Sequence, residues 1–251
     1  QHYCVTPRFA PTSTEAQLDA AGALLREHDA VFLQTHLCEN LAEVAWVREL
    51  FPDRASYLDT YDHAGLVGQR SMFGHAIHMR EADFHRCHEA GAALAFCPTS
   101  NLFLGSGLFA LYDALDPARP VRVGLGTDVG GGTSLSQLQS LNEAYKVVAM
   151  SGRKLDAARA FYLATLGGAR ALYLDDRLGR LAPGYDADIA VLDLKGTPLL
   201  DFRTRHCDTL EELLFVLMTL GDDRAVRATW VAGECVYDRT RPGDPFRYSS
   251  A

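Results

Sequence analysis

At 251 residues and 27.5 kDa, the chain can bury a substantial core and hold one large domain with an appendage. Hydrophobic residues make up 48% and charged ones 22%, as in an ordinary globular enzyme. A formal net charge of -8 argues against a nucleic-acid polymer as partner, since phosphate backbones attract basic surfaces, but leaves room for a single base or nucleoside.

Residues 3–9 read as a strand, closed by Pro7 and followed by a helix that opens at Ser13-Thr-Glu15 and runs to His28-Asp29. Val31 to His36 is a second strand. After the loop Cys38-Glu39-Asn40, a helix carries Leu41, Val44, Val47 and Leu50 on one stripe and stops before Pro52. An irregular stretch at 53–70 leads to the strand 71–75, a helix at 80–90 and the strand 92–97. The loop Pro98-Thr-Ser-Asn101, a short helix near 108–115 and the strand 121–128 complete the series. Five strands alternating with helices predict parallel βαβ units, too few to close an eight-stranded barrel. Helical periodicity fills 134–178. Two late strand regions, Ile189–Leu194 and a hairpin about Ala232-Gly233, flank a helix near 210–220 and predict a small β appendage.

Six cysteines, at 4, 38, 87, 97, 207 and 235, form no Cys-x-x-Cys pair and suit free thiols in a reducing compartment. No apolar run reaches membrane-spanning length and no signal peptide opens the chain, so a cytoplasmic location without a membrane partner is expected.

Chemistry-bearing residues gather at predicted strand ends. His36 and His75 each end an apolar strand, and Asp128 ends Gly124-Leu-Gly-Thr-Asp. Barrel enzymes deliver catalytic groups from such ends, and two imidazoles with a carboxylate suit a hydrolytic metal centre. Glu39, three residues past His36, could take a proton from an attacking water. Each has a plainer alternative: His36 a strand-end residue beside an exposed Glu39, His75 or His78 a satisfied core histidine, Asp128 an N-cap of the next helix. Arg8 and Phe9 combine a guanidinium fork with an aromatic face, apt for a planar heterocycle, or else form a surface ion pair and a packed ring. His85 and His88 read as helix-face residues.

Thr6-Pro-Arg-Phe9, Thr35-His-Leu-Cys-Glu-Asn40, Gly74-His75, Cys97-Pro-Thr-Ser-Asn-Leu102 and Gly126-Thr-Asp128 together resemble the amidohydrolase superfamily, and within it the guanine deaminases. Gly179 to Asp193 is similar to that superfamily's return into a β-sandwich. The resemblance implies an α/β fold: the C-terminal part of a TIM-like (β/α)8 barrel over 1–178, with a β-sandwich segment over 179–251. It implies a zinc cofactor held by His36 and Asp128, with a metal-bound hydroxide as nucleophile. Glu39 would be the proton shuttle and His75 a hydrogen-bond partner of the reacting group. Arg8 and Phe9 would bind guanine, with His36, Glu39 and Asp128 also lining the substrate site, and the reaction would yield xanthine and ammonia. A homodimer is implied as well.

The superfamily supplies two further zinc ligands from a His-x-His on its first barrel strand, and no His-x-His occurs in these 251 residues. Two ligands are too few for catalytic zinc, so activity is expected only together with an N-terminal segment of the same enzyme. Other expectations stay open: a deaminase or chlorohydrolase acting on another heterocycle, or a non-catalytic fragment or binding subunit.

Overall fold

Short β-branched and apolar runs at the centre of the parallel sheet become strands whose residues are largely buried. The computed structural model describes residues 2–241; residue 1 and residues 242–251 of the expected segments lie outside them. Five parallel strands, β1 (Cys4–Val5), β2 (Phe32–Leu37), β3 (Ser71–His75), β4 (Ala93–Phe96) and β5 (Arg122–Leu125), pair in sequence order, with β1 and β5 at the edges. The expected α/β fold with a parallel sheet is what forms. In β2, Leu33, Thr35 and Leu37 are buried while Gln34 on the opposite face is exposed. Phe73, Leu94 and Val123 continue the buried face across the sheet, in register with one another.

The helices begin and end where local chemistry says they should. In α1 (Glu15–Glu27) the Thr14 side chain caps the Gln17 amide, and in α2 (Leu41–Leu50) the Asn40 side chain caps the Glu43 amide at 2.9 Å. Asn40 is therefore a helix cap, and it sets the helix start directly after Glu39. The helix α4 (Glu81–Ala90) ends on Gly91 in the left-handed conformation.

Four local expectations change. The strand expected over 3–9 pairs only at Cys4 and Val5, because Pro7 has no amide to donate and the Arg8 carbonyl turns to His36. The stretch 53–70 contains α3 (Tyr57–His63), capped by Ser56. Pro98-Thr-Ser-Asn101, expected as a loop, is the start of α5 (Pro98–Phe103), with proline at the first turn where its missing amide costs nothing. The fifth strand stops at Leu125 rather than 128. A short α6 (Leu111–Ala114) precedes it.

Beyond β5 come α7 (Gln137–Met150), α8 (Ala157–Ala164) and α9 (Leu166–Ala171), the last packed on β5. A three-stranded antiparallel sheet follows, with β6 (Ile189–Leu192), β7 (Val226–Val231) and β8 (Glu234–Asp238). Its hairpin turns at Ala232 (φ 51°) and Gly233 (φ 84°), the two positive-φ positions a tight β-turn of this hand requires. Between β6 and β7 lie α10 (Pro198–Thr204), which the sequence did not announce, and α11 (Leu210–Leu220), which it did. The latter packs on α7 and α8, tying this region to the helices that follow the parallel sheet. Among the described residues, no helix is long and apolar enough to cross a membrane.

Gly22 shows how tightly α1 seats. A Cβ there would lie 1.9 Å from the Ala64 carbonyl oxygen. Gly→Ala inside a helix ordinarily stabilises by about 1 kcal/mol, but forcing this backbone contact apart costs about 1–3 kcal/mol. The net loss is about 0–2 kcal/mol, so Gly22→Ala is expected to lower the melting temperature by up to about 8 °C in a circular-dichroism melt. Gly68→Ala, where nothing lies within 4 Å of the new carbon, is the control and should lower it little.

Candidate active site

The carboxyl ends of β2, β3 and β5 converge, and all three leave their strands through strained backbone. Cys38 (φ 49°), His75 (φ 67°) and Asp128 (φ 47°) are non-glycine residues in the left-handed region. Each such residue costs on the order of 1 kcal/mol, and such costs concentrate where side chains must be aimed. The loop after Asp128 turns just as tightly. A Cβ on Gly132 would come within 2.0 Å of the Thr127 carbonyl, so the glycine lets the loop close back on Asp128.

Three side chains meet in the centre. Ligand atoms of His36, Glu39 and His75 all lie within 4.8 Å of one another. Asp128 joins through His75, its Oδ2 3.9 Å from His75 Nε2, which is also 3.9 Å from Glu39 Oε2. The imidazoles stack with centroids 5.0 Å apart.

Each imidazole is fixed from behind. His36 Nδ1 donates to the Arg8 carbonyl at 2.6 Å, and His75 Nδ1 donates to Asn101 Oδ1 at 2.8 Å. A carbonyl oxygen can only accept, so both rings hold their proton on Nδ1 and keep the Nε2 lone pair free. Histidines that bind metals are oriented in this way, by an oxygen on the far nitrogen. Two such imidazoles with two carboxylates form a nitrogen and oxygen donor set that fits zinc.

Glu39 is held by Ser106, whose hydroxyl donates to Oε1 at 3.0 Å, and the Ser106 carbonyl is in turn bonded by His78 Nε2 at 3.0 Å. His78 is thus a structural residue. His85 pairs with Glu81 and His88 bonds the Pro120 carbonyl, both on α4 as expected. Asp128 does not cap the following helix: α7 starts at Gln137, with Ser136 at its N-cap. Arg8 is exposed and, among the described residues, pairs with no carboxylate; its guanidinium lies 5.3 Å from the centroid of half-buried Phe9. Phe9 in turn tilts against His36 at 6.0 Å. The four strand-end residues and the Arg8-Phe9 pair therefore share one end of the sheet.

Asn101, Ser106 and Tyr61 escaped the sequence reading as participants. Asn101 sat inside a motif, but only the fold shows that α5 carries it under His75. Ser106 has no local signal at all. Cys97 also borders the site, its Sγ 3.0 Å from where a Cβ on Gly126 would stand, and burial pushes its thiol up to about 12. It is therefore a neutral packing group and no thiolate donor.

The chain matches the amidohydrolase family over residues 3–236. It belongs to that family. The guanine deaminase of Escherichia coli is 49% identical over 237 residues, covering 94% of this chain and 54% of that protein. The solved structure of that enzyme superposes with a TM-score of 0.92 over 95% of this chain and 56% of its own. A guanine deaminase from C. acetobutylicum with guanine bound in the active site is 29% identical, with a TM-score of 0.82 over 92% of this chain and 54% of its own. A Xanthomonas campestris adenosine deaminase with bound zinc is 30% identical, with a TM-score of 0.81 over 93% and 51%. This amidohydrolase chain therefore spans about half the length of the relatives it matches.

The thiol positions give a direct check on the site's floor. Lifting a thiol from the ordinary 9.0 to about 12 lowers its thiolate fraction at pH 8 by a factor of about a thousand. Mass spectrometry after iodoacetamide treatment should therefore find exposed Cys4 alkylated first and buried Cys97 protected until the chain is unfolded.

Proposed function

We propose that this chain forms the C-terminal catalytic part of a zinc-dependent guanine deaminase. It would supply the late strands of a (β/α)8 barrel over 1–178 and a β-sandwich segment over 179–251. The observation that carries the reading is the pair of imidazoles, each pinned at Nδ1, presenting Nε2 to a space shared with Glu39 and Asp128. Guanine, as in the relatives, would meet Arg8 and Phe9 beside that space, where the Arg8 guanidinium pairs with no carboxylate among the described residues.

His36 and Asp128 would hold the zinc. When bound, the metal supplies Lewis-acid activation of water at neutral pH. The other steps fall to this chain's side chains. Arg8 directs its fork at the acceptor edge of the purine, O6 and N7, and Phe9 lies against the ring face. Glu39, steadied by Ser106, would accept a proton of the attacking water and pass it to ring N3, then carry the second water proton to the departing amino group. His75 Nε2 bonds the carbon's new oxygen substituent. Water adds across the C2–N3 bond, with hydroxyl to C2 and a proton to N3; the hydroxyl proton then goes to the amino group, the exocyclic C2–N bond breaks, the C2 carbonyl forms, and xanthine and ammonia leave.

With no His-x-His in these residues, and two protein ligands too few for catalytic zinc, the remaining ligands would come from an N-terminal segment of the same enzyme, and the complete site would be shared between two parts of it. The test compares this chain with the same chain joined to such a segment, reading zinc content and ammonia release from guanine. Zinc and turnover in the extended enzyme alone support the proposal; zinc without guanine turnover would send the search to other heterocycles. In the extended enzyme, Glu39→Gln is expected to lower kcat by about a hundred- to ten-thousand-fold while guanine still binds. Arg8→Ala should cut kcat/KM for guanine by about a hundredfold, as expected when a charged hydrogen-bonding group in a site is lost.

A further inference from the structure

Tyr61 lies on α3, in a stretch that carries no sequence motif, and its ring is fully buried. It stacks on Phe73 with centroids 5.7 Å apart and tilts against Tyr57 at 5.6 Å. Its hydroxyl reaches through to the back of the site. There it accepts from the Ala10 amide at 2.9 Å, donates to the His36 carbonyl at 2.9 Å and touches Thr35 Oγ1 at 3.2 Å. The buried Thr35 hydroxyl donates to the Arg8 carbonyl at 3.2 Å.

The proton count closes. Two hydroxyl hydrogens serve two carbonyls, that of Arg8 from Thr35 and that of His36 from Tyr61, and the Tyr61 oxygen takes the Ala10 amide. Burial pushes the Tyr61 hydroxyl up to about 12, which keeps it a neutral donor.

These bonds matter because the β1 ladder ends at Val5. From Thr6 onward the ladder is not continued, and the one bond from the His36 amide to the Arg8 carbonyl, at 3.2 Å, is joined by side-chain hydroxyls in setting the height of the backbone that bears Arg8 and Phe9. Phe9 is instead held from both sides, by the Arg8 carbonyl before it and the Ala10 amide after it. Both anchors converge on the Tyr61–Thr35 hydroxyl pair and on His36.

We propose that Tyr61 is a positioning residue: its buried hydroxyl clamps the segment 8–10 onto the end of β2, and so sets where the Arg8 fork and Phe9 ring stand relative to His36. Fully buried, Tyr61 offers no surface to a ligand. It acts through Arg8, and the kinetic part of its test rests on the guanine reading above.

Tyr61→Phe keeps the ring and removes only the hydroxyl. In the extended enzyme, steady-state guanine kinetics would be compared for the parent, Tyr61→Phe, Arg8→Ala and the double variant. Tyr61→Phe is expected to raise KM about tenfold with kcat changed less than about threefold, and to add less than about twofold once Arg8 is already alanine. Equal, additive losses in both backgrounds, or a fall in stability with KM unchanged, would overturn the proposal. A second readout needs no guanine. Amide hydrogen exchange across residues 6–12 of the present chain should quicken in Tyr61→Phe while residues 57–63 keep their protection. Unchanged exchange at 6–12 also overturns it. If the extended parent enzyme ignores guanine, the substrate reading falls by itself and hydrogen exchange alone decides the role of Tyr61.

Discussion

The contact on which the site depends is the hydrogen bond from His36 Nδ1 to the Arg8 carbonyl. It joins the ends of two neighbouring strands, fixes which imidazole nitrogen carries the proton, and holds the backbone of the residue that would meet the substrate. The same carbonyl also accepts from the His36 amide and the Thr35 hydroxyl, so one oxygen gathers three donors. Loss of geometry there would reach the metal-facing and ligand-facing halves of the site together. His75 repeats the device with a side-chain oxygen, Asn101, carried on a helix that proline starts.

Strand-end strain serves the same purpose. A parallel strand in regular geometry points alternate side chains to opposite faces, and cannot turn its last residue toward a common centre. The left-handed backbone at Cys38, His75 and Asp128 breaks that alternation where it is needed. Buried packing beneath, from Leu37, Phe73, Phe96 and Phe109, resists relaxation of those turns. The strain is local and its support is spread through the core, a division common in sites that must hold their shape before a ligand arrives.

Four buried polar side chains behind the site bond to its residues or to their backbone. Tyr61, Thr35, Asn101 and Ser106 are each buried and each makes at least one of the bonds that aim a site residue or its backbone. Asn101 Nδ2 lacks a partner among the described residues, beside a ring that the other end of the same amide orients. Buried amides of this kind are costly unless the arrangement they enforce is useful.

Much of this was legible from sequence. Apolar runs of strand length, the helix opening at Ser13-Thr-Glu15 and the stop before Pro52 mark the order of strands and helices, because each acts within a few residues of itself. The sequence also named His36, Glu39, His75, Asp128, Arg8 and Phe9, since chemically capable side chains at successive strand ends are informative even without coordinates. Tertiary structure alone decided what stands behind them. Asn101 lies 26 residues from His75, Ser106 lies 67 from Glu39 and Tyr61 lies 51 from Ala10. Hydrogen bonds over such separations leave no periodicity and no local composition signal. They exist only because the parallel sheet sets distant strand ends side by side, where a donor and an acceptor with no water between them must find each other.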